Sequence, residues 1–397
     1  MERERSDRSA RRTASGNFDP SVVGVRTFLK NWPIVLSQME KLSVSLKRRQ
    51  VSGPYHCAKA TLELLRYTVG TCKWATAAQL MELIRAVGRE LIAAKPSELA
   101  VGNVVRRVLF VIREEYTAKL RQAEDAAASG AAAAAAAEVS VPSLETVLGG
   151  EQLEADFSAP LPDLKQLIIE GLNELKAELE EMNSVICERA AETIHANEVV
   201  LTLGRSATVE QFLLAAADHY RKARLTFSVI VAEAAPGLRG HELARALAAA
   251  GIETTVISDS AVFAIMARVN KVIMPTHAVV ANGGLVAGCG SYMIALAAKE
   301  LSVPVVCVTG LYKLCPLFPH DQDTFNCLLA PSAVLPYEDT ELAESIEVLN
   351  PAYDYIPPEL VDLYMTNIGG HQPSYIYRLL AEYYHRDDYI LAPEFEG

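Results

Sequence analysis

The 397-residue chain lacks most of the short signatures that mark a catalytic site. Its 8 histidines show no HxH, HxxxH or HExxH spacing, so neither a metal site nor zinc-peptidase chemistry is expected. No GxxxxGK(S/T) loop and no GxSxG elbow occurs, which removes P-loop nucleotide triphosphatases and the simplest serine hydrolases. The 7 cysteines, at 57, 72, 187, 289, 307, 315 and 327, are odd in number and never spaced as CxxC. A disulfide framework is therefore not expected, and reduced thiols in the cytosol are. Positive charge is also short: Lys+Arg is 37 against Asp+Glu 49, a net charge of −12. That balance argues against a general nucleic-acid binder, whose affinity comes from neutralising phosphates, and against an anionic membrane surface. No run of about 18 strongly apolar residues is present to span a bilayer.

What is present divides the chain unevenly. Its length suggests two to three domains. Arg3, Arg5, Arg8, Arg11 and Arg12 are interleaved with Glu2, Glu4 and Asp7, so residues 1–19 read as a solvated, disordered tail rather than a transit peptide. Residues 20–121 read as a helical domain. Leu80, Leu83, Ile84, Val87 and Leu91 recur at helical spacing, and Pro96-Ser97-Glu98 is a break with Ser97 as a candidate cap. Residues 122–158 include AEDAAASGAAAAAAAEVS, whose alanines favour helix but offer little to bury, so a flexible insertion is expected there. Residues 159–197 read as a long linking helix, with Ile168, Leu172, Leu175, Leu179, Met182 and Ile186 forming an apolar seam.

From residue 198 to 397 the pattern changes to α/β. Strand-like runs at Glu198–Gly204, Phe227–Glu233, Glu253–Ser258, Lys271–Ala281 and Val303–Thr309 are rich in Val and Ile without alternation, as in strands buried on both faces. Helical segments at Thr208–Lys222, Gly240–Ala250, Asp259–Val269 and Ser291–Glu300 separate them. This spacing predicts an open parallel sheet with helices on both faces and a ligand site at the carboxyl ends of its strands. There, Asn282, Gly283, Gly284, Gly288, Gly290 and Ser291 lie in a Gly-rich loop between a strand and a helix. Amides at that helix start suit a phosphate, yet the spacing is not GxGxxG, and simple turn formation accounts for the glycines equally well. Asp259 reads as a strand-end carboxylate or a helix cap. His277 reads as a base or a structural imidazole. Cys289, at a helix start, would have a lowered pKa but no basic neighbour in sequence.

The run VVANGGLVAGCGSYMIALAAKELSVPVVCV (279–308) resembles the family that holds the alpha, beta and delta regulatory subunits of eukaryotic translation initiation factor two B and the methylthioribose-phosphate and ribose-bisphosphate isomerases. PSELAVGNVVRRVLFVIREEY (96–116), GHELARALAAAGIETTVISDSAVFAIMARVNKV (240–272) and NPAYDYIPPELVDLYMTNIGGHQPSYIYRLLAEYYH (350–385) resemble the beta-type members in particular. The resemblance spans roughly 20–120 and 160–390 and leaves out the Ala-rich insertion. It implies an N-terminal helical domain followed by a Rossmann-like parallel-sheet domain. At the positions that carry isomerase chemistry, this chain has Gly204 for the cysteine and His277 for the aspartate; the NGD triplet is Asn282-Gly283-Gly284, and Ala235 stands for a phosphate-site arginine. General acid–base chemistry needs a positioned proton carrier, and these replacements imply a chain that is not an enzyme and takes no cofactor.

The resemblance further implies a regulatory subunit of the guanine-nucleotide exchange complex for initiation factor two, a GTP-binding substrate. A delta-like subunit would be its closest partner, with alpha-, gamma- and epsilon-like subunits in the same complex and a part in the integrated stress response. Interface residues implied this way are Ile194, His195, Asn197, Asn367, Gly369, Gly370, Tyr364, Tyr375 and Tyr377. The apolar stretch Tyr353, Tyr355, Ile356, Leu360, Leu363, Tyr364 and Met365 is expected at a subunit interface as well. The alternative is a sugar-phosphate isomerase or sensor of the same fold, with the glycines at 288 and 290 retaining an anion site.

Overall fold

The computed structural model describes residues 25–129, 157–321, 323–338 and 345–391, so the expected tail at 1–19 lies outside the described residues. The helical half comprises α1 (Val25–Leu29), α2 (Pro33–Lys47), α3 (Pro54–Thr71), α4 (Ala77–Ala94), α5 (Leu99–Ser129) and α6 (Leu164–Glu188). Proline opens α2 and α3, where its missing N–H costs nothing. Thr76 caps α4 by accepting from the Gln79 N–H at 3.3 Å, and Gln79 returns its side-chain oxygen to the Ala75 N–H at 3.1 Å. Helix α5 continues to Ser129, into the stretch expected to be a flexible insertion, in keeping with the helix propensity of its alanines. The far end of that stretch is also packed: the Phe157 ring lies 5.0 Å from Tyr116, and its carbonyl accepts from the Ala78 N–H at 3.1 Å. The intervening residues 130–156 lie outside the described residues.

The second half contains strands β1 (Val199–Leu203), β2 (Ser228–Ala232), β3 (Glu253–Ile257), β4 (Lys271–Pro275), β5 (Ala278–Val279), β6 (Leu285–Gly288), β7 (Val305–Val308), β8 (Tyr353–Ile356), β9 (Leu363–Thr366) and β10 (Gly369–His371). Its helices are α7 (Ala190–Thr193), α8 (Ala207–Ala223), α9 (Arg239–Ala249), α10 (Val262–Met266), α11 (Ser291–Glu300) and α12 (Ile376–Tyr383). Seven strands form one sheet in the order β10-β9-β7-β4-β1-β2-β3, parallel except for β10 against β9. Strands β5, β6 and β8 form a second, antiparallel sheet.

Three sequence expectations change here. The run Lys271–Ala281 is not one strand: the chain leaves the large sheet after Pro275 and joins the small one at Ala278. Strand β3 is not buried on both faces, because it is the sheet edge. The segment Asp259–Val269 is a 3-10 turn followed by the five-residue α10, not one long helix.

Alternate side chains of the parallel strands enter two cores. Val200, Val229, Val231, Ile273, Val306 and Val308 share a core with Met182 and Ile186 of α6 and with Leu65, Leu80 and Leu109 of the helical half. On the opposite face Leu201, Leu203, Ile230 and Met274 meet Met266 of α10, Ile294 of α11 and Leu379 of α12. A parallel sheet needs both faces covered, and here α8 and α9 cover one face together with side chains of the helical half.

The chain end returns to lock that arrangement. Asp388, fully buried, accepts from Arg85 Nη2 at 2.7 Å and Nε at 3.1 Å on one oxygen and from Arg113 Nε at 3.0 Å on the other. Arg106 Nε reaches the carbonyls of Asp388 and Tyr389 at 3.2 and 3.1 Å. Removing one partner of a buried ion pair leaves the other charge uncompensated. Asp388→Ala should lower stability by about 3–5 kcal/mol, read as a reduced urea midpoint. A loss under about 1 kcal/mol would show that water or Glu82 compensates the arginines instead.

Candidate functional site

The carboxyl ends of the parallel strands do converge, and many of their polar groups are engaged within the chain, although Thr202 Oγ1 and Ser291 Oγ are buried without a hydrogen-bond partner among the described residues. Gly204 follows β1 with φ +59°, and a Cβ there would stand 3.2 Å from the Ala234 methyl. Asp259, after β3, does not cap its own helix. Its carboxylate accepts from the Ala234 N–H at 3.0 Å and the Ala235 N–H at 2.7 Å, in the loop after β2. Gly240, at the start of α9, lies so close to the Ala232 carbonyl that no side chain fits. Arg205, next to Gly204, is held by Glu210 at 2.9 Å and Glu242 at 3.0 Å.

The Gly-rich segment is not one loop. Leu285–Gly288 within it is strand β6, paired with β5 and β8. Before that strand, Asn282 closes a turn: its Oδ1 accepts from the Gly284 N–H at 2.9 Å, and its Nδ2 donates to the Tyr355 hydroxyl at 2.6 Å. Tyr364 donates its hydroxyl to the Gly283 carbonyl at 2.7 Å, and Gly283 takes the left-handed φ of +83° that the turn requires. After β6, Gly290 and Ser291 open α11 as expected, but the Gly290 and Tyr292 amides donate to Asp354 Oδ2 at 2.8 and 3.1 Å. A side-chain carboxylate thus occupies the first turn where a phosphate would lie. Cys289 is corrected too. Burial and then the Asp354 carboxylate push its thiol up, which outweighs the lowering expected from the helix start.

His277 turns away from the strand-end loops. Its Nε2 lies 3.0 Å from the Ser97 carbonyl and 3.6 Å from Glu98 Oε1, and its ring stacks on Tyr353 at 4.3 Å. Ser97 therefore meets it through a carbonyl. Burial lowers the His277 pKa, so the ring is neutral near pH 7 and cements the α4–α5 turn to β4. Beside it, sequence reading missed two buried charged residues, Glu98 and Lys313. Glu98 binds Lys95 Nζ at 3.0 Å, while Lys313 Nζ donates to the Thr276 carbonyl at 2.8 Å. Burial holds the Lys313 pKa down at about 8. Glu98 meets Lys95 within one turn, whereas Lys313 reaches a carbonyl 37 residues away, a contact that no local spacing announces.

The interface candidates scatter by burial. His195, Asn197, Gly370 and Tyr377 are exposed, and Asn367 and Tyr375 are half-buried. Asn367 accepts from the Leu311 N–H at 3.3 Å, and Tyr375 stacks on His371 at 5.0 Å. Ile194, Gly369 and Tyr364 are buried within the chain, so Ile194 and Tyr364 present no side chain to a partner. Ile356, Leu360 and Met365 of the apolar C-terminal stretch are likewise in the chain's own cores, because β8 and β9 are strands that the sequence pattern did not reveal. Among the described residues no three or more His, Cys, Asp or Glu side chains converge as a metal site, and no helix is long and apolar enough to cross a membrane.

Residues 50–373 match the profile of the Initiation factor 2 subunit family. The chain is 44% identical over 377 residues to the translation initiation factor eIF2B subunit beta of Dictyostelium discoideum, covering 88% of this chain and 96% of that one. The solved eIF2B beta of Chaetomium thermophilum is similar at 32% identity and a TM-score of 0.68, covering 89% of this chain and 94% of that one. A chain of the tetrameric eIF2B-beta2-delta2 complex from C. thermophilum is similar at 30% identity and a TM-score of 0.64, over 88% of this chain and 95% of that one.

Lys313 makes a pH prediction. Its folded pKa of about 8 lies below the ordinary 10.5, so between those values the unfolded chain binds more protons and stability rises with pH. Buried Cys57, pushed up to about 12, and Tyr353, pushed up as well, act in the opposite sense. The comparison with Lys313→Met isolates the lysine. From pH 7.5 to 10.5 the wild type should gain on the order of 3 kcal/mol relative to the variant. Parallel urea-midpoint curves for the two proteins would refute it.

Proposed function

The chain belongs to the Initiation factor 2 subunit family, and from that premise we propose that it is a regulatory, non-catalytic subunit of the exchange complex for initiation factor two. The observation that carries this reading is the 44% identity to an eIF2B beta subunit over nearly the whole of both chains. A solved relative assembles with delta subunits as a beta2-delta2 tetramer, which supports a delta-like chain as the partner. In this proposal the chain scaffolds the cytosolic complex, joins alpha-, gamma- and epsilon-like subunits, and contacts the substrate factor where phosphorylation of its alpha subunit is sensed. A phosphoryl group adds nearly two negative charges, enough to alter such a contact locally.

The strand-end chemistry favours this reading over isomerisation. Gly204 offers no nucleophile, His277 faces the helical half, and the amides at Ala235 and Gly290 already bind Asp259 and Asp354. The purified chain should therefore not convert methylthioribose-1-phosphate or ribose-1,5-bisphosphate into the ketose; turnover above background that His277→Ala abolishes would overturn the non-catalytic assignment. GDP release from initiation factor two should be slow with this chain alone and fast with the complete complex. Acceleration by the chain alone to the full rate would refute the regulatory role.

Burial separates two kinds of interface variant. Tyr377 is 60% exposed, so Tyr377→Asp should leave the melting temperature within a few degrees while weakening co-purification with a delta-like subunit. Tyr364 is 0% exposed, and Tyr364→Asp should instead unfold the chain, since it buries an unpaired charge. Normal co-purification of Tyr377→Asp would remove that residue from the interface.

A further inference from the structure

The connection between α2 and α3 is cationic in a chain whose net charge is −12. Lys47, Arg48 and Arg49 stand in succession at its start. All three are exposed, and none forms an ion pair among the described residues. Helix α2 ends there in a capped turn. The Arg48 N–H donates to the Val44 carbonyl at 2.9 Å, the Arg49 N–H to Leu46 at 3.1 Å and the Gln50 N–H to Ser45 at 2.9 Å. Arg49 takes the left-handed φ of +55° that such a helix end uses. Val51 packs half-buried against the core of the helical half, and its carbonyl accepts from the Cys57 thiol at 3.7 Å. The next residue, Ser52, is exposed, and its hydroxyl has no hydrogen-bond partner among the described residues. Gly53 then turns with φ +86°, and Pro54 opens α3. Ser206, Ser258 and Ser260 show the contrast. Ser206 is half-buried and follows Arg205, whose guanidinium is taken by Glu210 and Glu242. Ser258 and Ser260 share a hydrogen bond at 3.1 Å on either side of Asp259.

We propose that Ser52 is a phosphorylation site for a protein kinase whose acidic peptide groove selects arginine on the N-terminal side of the serine. Kinases choose substrates largely by charge pattern. Here Lys47, Arg48 and Arg49 lie five, four and three residues before the hydroxyl, with no carboxylate between. That these cations are unpaired matters. A guanidinium already held by carboxylates, as at Arg205, has to break those pairs before it enters another groove. Access costs little as well. Presenting residues 47–54 in extended form frees the three capping bonds of a helix end and the edge contact of Val51, and helix ends open locally at low cost. In the transfer, Ser52 Oγ bonds the γ-phosphorus of a nucleoside triphosphate as the bond to the β-phosphate oxygen breaks. The diphosphate leaves, and the hydroxyl proton passes to the kinase's base. The product sets nearly two negative charges beside three positive ones, so the local charge falls to about +1. The phosphoryl group then stands three and four residues from two unpaired guanidinium groups, which suit it as partners. The site goes beyond the subunit role proposed above and is independent of it, since it changes a surface of the helical half and leaves the strand ends untouched.

The test uses the full chain with magnesium and ATP. Calcium/calmodulin-dependent protein kinase II serves as the arginine-directed probe, and casein kinase 2 as its acid-directed counterpart. The first should place one phosphoryl group on Ser52, located by mass spectrometry of the digested chain; the second should leave Ser52 unmodified. Ser52→Ala should abolish that incorporation. Arg48→Ala/Arg49→Ala should slow it about tenfold or more. Arg239→Ala/Arg245→Ala, which removes two exposed cations of α9, should leave the rate unchanged. Melting curves that superimpose on the wild type show that each variant is folded, so a slower rate reports recognition. A free peptide of residues 45–58 is the fully accessible reference, and the folded chain should be modified within about tenfold of its rate. A slower rate than that would show a turn closed to the kinase and overturn the proposal, as would no incorporation at all. Incorporation that Ser52→Ala does not reduce assigns the phosphate elsewhere and overturns it too. Equal losses from the α9 control, no loss from the Arg48 and Arg49 change, or equal modification of Ser52 by the acid-directed kinase would each refute the charge pattern as its cause.

Discussion

Everything in this fold follows from a parallel sheet whose two faces must both be kept from water. The outward face of Val200, Val229, Val231, Ile273 and Val306 is closed by the same core that holds the helical half together. The two halves are therefore one cooperative unit in their packing, although composition divides the chain between them. The buried Asp388, held by Arg85 and Arg113, adds a polar constraint at the same seam. Buried ion pairs contribute little net stability compared with apolar packing, but they tolerate only one geometry. Asp388 thus fixes where the chain end lies and, through Tyr384, whose hydroxyl reaches the Leu314 carbonyl at 2.8 Å, how the loop after β7 is held.

The same inward turn of polar groups governs the strand ends. In an open parallel sheet these loops present amides and polar side chains to a ligand. Here Asp259 binds the Ala234 and Ala235 amides, Asp354 binds the first turn of α11, and Asn282, Tyr355 and Tyr364 close the turn before β6. Each bond stabilises a loop that, in a catalyst, would keep free donors for substrate. Cys289, at the same helix start, has its thiol pushed up by partial burial and by Asp354, so the thiolate is disfavoured there. The strand-end loops are thus held largely by bonds within the chain.

How much of this was legible in sequence depended on whether the cause was local. The seam of α6 was readable because Ile168, Leu172, Leu179, Met182 and Ile186 are buried by periodicity within a single helix. Strands β1, β2 and β7 were readable because Val and Ile run unalternated where both faces are covered. Strands β8 to β10 were not, since tyrosine, proline and glycine interrupt their pattern and their pairing partners lie far away in sequence. The edge position of β3 was illegible for a related reason: ETTVI reads like an interior strand, and only the sheet order exposes it. At the candidate site, the losses at Gly204 and Ala235 could be read by position, but the partner of His277 could not. Ser97 and Glu98 reach it from the helical half, and no spacing rule connects residues 180 apart.

Burial and charge then separate the surfaces this chain offers to others. Ile194, in ETIHANEVV, and Tyr364 and Met365, in the apolar C-terminal stretch, were expected at an interface, but each is buried in the chain's own core. Among the described residues, exposed apolar side chains occur, for example, on β3 at Val256, on α10 and α11 at Phe263, Met293 and Leu296, and between β7 and β8 at Leu328, Val334, Tyr337 and Leu349. Val256 lies on the sheet's edge strand, and Phe263, Met293 and Leu296 lie on helices packed beside the sheet. The described residues between β7 and β8 are tied to the approach to β8 by the Leu329–Asn350 and Ala352–Cys327 backbone bonds. What the fold leaves at its surface is therefore set by which apolar residues its own two cores do not consume.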